Sequence, residues 1–348
     1  MMGDPALDIT DFIPFDNFDL SLLDRPSLPR FRDLVLQAIR GELDLSLGGI
    51  LGSGMQLVFG ELMASTQLLR QLLIIAILSA LLSCLTEAFD HKSAGELGFY
   101  VTFLMAVLLV VSSFYVSVEI LNNVVGLVSG IMLAAIPLMT SIMIMSGNVA
   151  GAASFNPLLF FALQLVTWFI SIVYVPLVLA SAGLDLVNHM SETVKLDKLA
   201  EVLRKIADWT LKGIVAVFAL LLTLQRFSAP IISNVAIRTT HNALGAIPVV
   251  GSALNAAMDT VMHFGQAARS GVLVALVLVI CVAMATPLIK LFALSTIFQI
   301  TAGLVQPIAD KKLIKCMDSA ASHMGRLFSA AAIVGVMCVY TVVILLSF

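Results

Sequence analysis

Residues 271–289 read GVLVALVLVICVAMATPLI, and this run decides the fold class. It carries no charged side chain and matches the ~20 residues that a helix needs to cross the hydrocarbon core of a bilayer. Its apolar residues are continuous instead of alternating, which argues against a barrel strand. Backbone polar groups in lipid must pair within the segment, so the run is a transmembrane helix. Pro287 sits near its end, and Lys290 separates it from a further apolar run, 291–308, that either crosses or lies in the interface.

The same signal recurs on both sides. Spans are expected at about 72–85, extendable to Phe89, and at 97–118, 124–145, 157–184, 213–225 and 327–348. The spans 97–118 and 124–145 are separated only by Glu119–Asn123, which predicts a tight antiparallel hairpin. Pro157 opens the next span, where proline costs no hydrogen bond, whereas Pro137 and Pro176 fall inside spans and predict kinks. The fold class is therefore an all-α polytopic integral membrane protein of about seven transmembrane helices, within a range of six to eight. Composition agrees: 60% of the residues are hydrophobic and 12% charged, against about 45–50% and 25% in soluble domains.

Residues 1–44 form a different, extramembrane segment, acidic through Asp4, Asp8, Asp11, Asp16, Asp19, Asp24 and Asp33 and interrupted by four prolines. Pro29, then Phe31, Leu34, Ala38 and Ile39, closing on Gly41, predicts a short amphipathic helix. No basic stretch followed by an apolar one opens the chain, so no signal peptide is expected. Within the membrane domain, 45–348, the glycine-rich stretch 45–60 reads as interfacial or re-entrant. Between 185 and 212 the chain turns polar. Leu199, Val202, Leu203, Ile206 and Trp209 recur there at helical spacing, which predicts an interfacial helix over about 190–212, or an ordinary cytoplasmic hairpin.

Residues 226–270 are too polar for a simple span and too apolar for a free loop. Pro248, with Gly245 and Gly251 on either side, predicts a broken helical hairpin whose flanks carry Arg238 and Asp259. A basic linker, 309–326, precedes the last span. Lys195, Lys198, Arg204, Lys205 and Lys212 form one basic cluster, and Lys311, Lys312, Lys315 and Arg326 the other. Cytoplasmic loops collect such charge, so both clusters should lie inside, with two crossings between them. Counting back puts the acidic N-terminus inside as well.

No phosphate-binding loop, HExxH, GxSxG or dinucleotide fingerprint occurs, and none is expected to be hidden in the five dispersed histidines. Cys84, Cys281 and Cys338 lie in apolar runs and Cys316 in the basic linker, with no CxxC pair, so neither disulfide nor metal nor cofactor is expected. A net charge of −3 without a basic stripe leaves no role for nucleic acid. The polar residues that fall at bilayer depth, Gln164, Arg238, Asp259, Lys290 and Gln299, are the remaining candidates for an aqueous path or an internal pair. Gly126 and Gly130, and Gly147 and Gly151, have the small-xxx-small spacing that permits close helix contact.

Over nearly its whole length the chain resembles the stage III sporulation protein AE family of endospore-forming bacteria. The resemblance is carried by Asp11-Phe-Ile-Pro-Phe-Asp16, the run 68–78, Phe155-Asn-Pro-Leu-Leu159, Val235-Ala-Ile-Arg-Thr239, Ile247-Pro-Val-Val-Gly251 with Asp259 behind it, Pro287-Leu-Ile-Lys290 and Gln306-Pro-Ile-Ala-Asp310. It implies a non-enzymatic, multi-pass subunit in the mother-cell membrane facing the forespore, part of a channel resembling a secretion system. The implied partners are other membrane proteins of the stage III A group, a cytoplasmic ATPase of the same complex, a forespore-side channel protein and the lipid bilayer. The cleavable apolar signal with which family members often begin, and which would put the acidic N-terminus outside, is missing here. The expected structural, channel or docking positions are Arg238, Gly245, Pro248, Gly251, Asp259, Lys290, Gln306, Pro307 and Asp310. A rival reading, a secondary transporter or permease for a small solute, is motivated by the broken hairpin, although no internal repeat relates the two halves.

Overall fold

A computed structural model describes the backbone of residues 29–42, 66–89, 92–145, 161–190, 196–245 and 251–347, with isolated positions in 20–24 and 56–64. Side chains are described for these except 83–96, 99, 145, 224–264 and 345–347. The acidic start, most of 45–60, the loop 147–156 and Pro248 lie outside the described residues.

Among the described residues the structure is helical throughout: α1 Phe31–Arg40, α2 Thr66–Phe89, α3 Lys92–Met145, α4 Phe161–Met190, α5 Asp197–Gly245, α6 Gly251–Val305 and α7 Lys311–Ser347. Five of them, α3 to α7, are long and apolar enough to cross a membrane, and the described part of α2, Thr66–Leu82, is a shorter apolar helix. The protein is an all-α polytopic membrane protein. Helix α7 is the hub, packing on α3, α4, α5 and α6, and over half of its apolar window is buried inside the bundle.

The hairpin expected at Glu119–Asn123 does not form. Helix α3 is one helix of 54 residues that runs straight through that stretch, about 80 Å at 1.5 Å per residue. The stretch contains neither glycine nor proline to reverse the chain. Glu119, Asn122 and Asn123 simply face outward. The buried stripe Phe114, Ser117, Leu121, Val124 and Val128 continues across it at helical spacing and decides for continuity. Polar residues alone do not make a turn.

Three other expected boundaries also dissolve. The interfacial helix and the following span are one helix, α5, which begins at Asp197 and reaches Gly245. Residues 251–305 are likewise one helix through Pro287 and Lys290, so 291–305 is the end of α6 instead of a separate crossing, and 306–308 belong to the turn after it. The basic linker 309–326 is mostly the first four turns of α7, where Leu313, Cys316, Met317, Ala320 and Ala321 are buried while Lys311 and Lys315 stay exposed. Cys316 is thus a core residue of α7 and not a linker residue.

Two local devices shape the bundle. Pro176 has no N–H to give, and the turn before it, Ile170–Tyr174, widens into a π-helical turn closed by the Val175 N–H on the Ile170 carbonyl. The kink expected at Pro176 is thereby taken up one turn earlier. Helix α1 forms where the sequence predicts it. Asp24 accepts the Phe31 N–H at 2.8 Å, and Gly41 at φ 69° ends the helix through bonds to the Ala38 and Gln37 carbonyls.

Phe31, Leu34 and Val35 of α1 are buried against α6. Gly271 permits that approach, since a Cβ there would stand 2.4 Å from Ile39 Cγ1 and 3.0 Å from the Val35 carbonyl oxygen. Gly271→Ala should therefore lower the melting temperature of the detergent-solubilised protein, at a cost of about 1–3 kcal/mol from overpacking. Gly126→Ala, with no atom within 4 Å of the added methyl, should raise it slightly. Equal gains from both would show that α1 is not seated on α6.

Candidate functional site

The turn between α4 and α5 brings two polar helix ends together. Asn188 accepts the Leu196 N–H at 3.0 Å and donates its amide to Asp197, the first residue of α5, so the turn is pinned at both ends. Helix α5 then runs antiparallel to α4. At the same end of the bundle α7 begins with Asp310, whose carboxylate caps the helix by accepting the Lys312 N–H at 2.7 Å.

At the junction of these three helices lies Asp185, on α4 and nearly fully buried. Its Oδ2 accepts hydrogen bonds from Arg204 of α5 at 2.9 Å and from Ser319 of α7 at 3.1 Å, and lies 2.7 Å from His323 Nε2, also on α7. Ser319 and His323 are one turn apart on α7 and so present a matched pair to one carboxylate. His323 is 1% exposed, and its ring leans on Phe114 of α3 with centroids 6.1 Å apart. One oxygen atom thus gathers groups from α5 and α7 onto α4, and the imidazole carries the contact on to α3. Asp185 falls where the sequence turns polar and His323 within the expected basic linker; both are interior helix residues.

One turn further along, a second, more exposed layer repeats the arrangement. Arg326 of α7 donates to Asp208 of α5 at 3.1 Å and to Ser322 at 2.9 Å. The Arg326 backbone carbonyl accepts the Tyr174 hydroxyl of α4 at 3.0 Å. Tyr174 closes the π turn before Pro176, so the widened turn of α4 supplies one of the contacts that hold α7.

Ser181, His323 and Asp185 together have the composition of a nucleophilic triad, but their geometry does not activate the serine. The Ser181 hydroxyl donates to the Val178 carbonyl of its own helix at 2.9 Å, and its oxygen is 3.4 Å from His323 Nδ1. A serine nucleophile needs a base that takes its proton and an open approach for substrate, and Ser181 is fully buried. The cluster is a bracket between helices. Among the described residues no group of three metal-ligating side chains is found.

The positions expected from sequence lie elsewhere. Gly245 is the last described residue of α5 and Gly251 the first of α6, with Pro248 between them outside the described residues. Arg238 lies on the α5 backbone and Asp259 on that of α6, their side chains not described. Lys290 is exposed on α6, as are Gln164 on α4 and Gln299 on α6, so these three do not converge on a common interior. Gln306 and Pro307 form the exposed turn between α6 and α7, and Asp310 is its cap.

Comparison with known proteins fits this picture. The family model described as stage III sporulation protein AE matches residues 30–348. The chain belongs to the stage III sporulation protein AE family. It is 27% identical over 315 residues to the stage III sporulation protein AE of Bacillus subtilis (strain 168), covering 90% of this chain and 79% of that relative. No solved structure matches it. The bracket around Asp185 is formed by side chains of three helices. Its sequence signal was an acidic residue directly after an apolar run, the position at which a membrane protein tolerates a carboxylate only with partners.

Removing Asp185 strands a buried imidazole and unties three helices. Asp185→Ala should destabilise the protein by about 3–5 kcal/mol, and Asp185→Leu combined with His323→Phe should cost less than Asp185→Leu alone. Asp208→Ala, in the half-exposed layer, should cost at most about 1 kcal/mol. Melting curves of the four variants in detergent check this. Equal, small losses at Asp185 and Asp208 would contradict the assignment.

Proposed function

We propose that this stage III sporulation protein AE family member is a non-enzymatic helical subunit of a channel or secretion-like complex between mother cell and forespore, seated in the mother-cell membrane. Its family supports a role in sporulation, and the chain is built as a scaffold. Asp185 and His323, the buried carboxylate and imidazole among the described residues, tie helices together. The partners expected are membrane proteins of the stage III A group, a cytoplasmic ATPase and a forespore-side channel protein. Exposed Lys290, Gln306, Pro307 and Asp310, with the segment about Arg238, Gly245, Pro248, Gly251 and Asp259, are the positions proposed for docking or for the channel wall.

The observation that carries this reading is the placement of the polar side chains. A secondary transporter needs polar groups converging near the midplane. Gln164, Lys290 and Gln299 face outward, and two of the clefts in the bundle are almost wholly apolar, one between α4 and α5 and one between α6 and α7. Purified protein reconstituted alone should therefore show no gradient-driven uptake of solute, and deletion of its gene should arrest development of the engulfed forespore. Ion-driven uptake by the isolated protein would overturn the subunit reading.

The basic starts of α5 and α7 lie side by side, as a positive-inside arrangement requires, and we place that end in the cytoplasm. A cysteine at Lys198 or at Lys312, in a background lacking the native cysteines, should resist an impermeant thiol reagent added outside. Lys198 is 94% exposed, so labelling there would be read without ambiguity as an external location.

A further inference from the structure

Beside the Asp185 bracket, between α5 and α7, is a cleft of about 510 Å³ that changes character along its length. At one end it is bounded by Asp208 and Lys212 of α5 and Arg326 of α7, and toward the other by Val215 and Ala219 of α5 and Ile333 of α7. The two helices run parallel here, so both walls turn from charged to apolar in the same direction. From Lys212 to Ala219 is about 10 Å along the helix axis.

Two further observations fix what such a cleft can take. Lys212 is exposed and makes no ion pair with a described residue, while Asp208 is occupied by Arg326. The open end therefore offers a net positive charge, and the guanidinium keeps donors beyond those spent on Asp208 and Ser322. Next to it Trp209 is 76% exposed, continuing the exposed stripe Val202 and Ile206 of the same helix. Exposed tryptophan beside lysine and arginine marks the headgroup level of a membrane. The charged end of the cleft thus lies at headgroup depth and the apolar end in the hydrocarbon.

We propose that this cleft is a binding site for an anionic phospholipid, with the phosphate held by Lys212 and Arg326 and one acyl chain laid along Val215, Ala219 and Ile333. The site is independent of the channel reading above. A lipid bound there joins α5 to α7 across the half-exposed layer and adds to the bracket at Asp185.

The test is the thermal shift of the detergent-purified, full-length protein titrated with phosphatidylglycerol, phosphatidylcholine or inorganic phosphate. Phosphatidylglycerol should raise the melting temperature saturably, and the other two should not. Lys212→Ala should weaken the phosphatidylglycerol response about fivefold, the loss of one lysine's attraction to an anionic lipid. Ala219→Phe, which fills the apolar end and leaves every charge in place, should abolish saturation. An equal shift with inorganic phosphate would reduce the site to an anion patch and overturn the lipid. An equal shift with phosphatidylcholine would overturn the charge recognition. Unchanged binding in both folded variants would show that the lipid binds elsewhere.

Discussion

A carboxylate among apolar helices is tolerated only when other groups satisfy it, and the bundle is organised around that requirement at Asp185. Charge transferred from water into a low-dielectric interior costs several kcal/mol for each ion even after relaxation. Arg204, Ser319 and His323 meet the requirement from two other helices at 2.9, 3.1 and 2.7 Å. Apolar packing between helices in a bilayer is permissive about register, because lipid tails are as apolar as leucine. The polar contact is not. Sliding α7 by one turn against α4 would break the paired contact of Ser319 and His323 with one carboxylate oxygen, so the bracket sets the register in which α4, α5 and α7 pack.

What the sequence revealed follows from the same contrast. Apolar runs identify helices because every backbone group in lipid must be paired locally, and runs such as 271–289 are accordingly found inside α6. Helix ends are harder. Glu119, Asn122 and Asn123 looked like a turn, yet a helix about twice as long as a bilayer is thick has ample outward surface for polar side chains. The glycine signal was dependable at Gly41, which ends α1 in a left-handed conformation. The bracket was not legible. Asp185 and His323 are 138 residues apart in the chain, and only the packing of α4 on α7 brings them together.

Helices α3, α5 and α6 are each far longer than a single crossing requires. Helices of that reach would suit the proposed role, in which the subunit would meet partner proteins beyond one bilayer. The bracket and the lipid cleft lie at one end of the bundle, close to the start of α5 and of α7, so that end is held firmly. Toward Gly245 on α5 and Gly251 on α6 lie Arg238 and Asp259, which the family resemblance singles out.

The most direct measurement is the distance between spin labels placed at Lys198, near the start of α5, and at Lys311, the start of α7, by double electron–electron resonance in nanodiscs. If Asp185 holds these two helices at one end of the bundle, the distribution should be single and centred well below the ~30 Å thickness of the hydrocarbon core, and it should broaden when Asp185 is replaced by Ala. A distance of 30 Å or more in the unaltered background would place the two basic starts on opposite sides of the membrane and contradict the bracket.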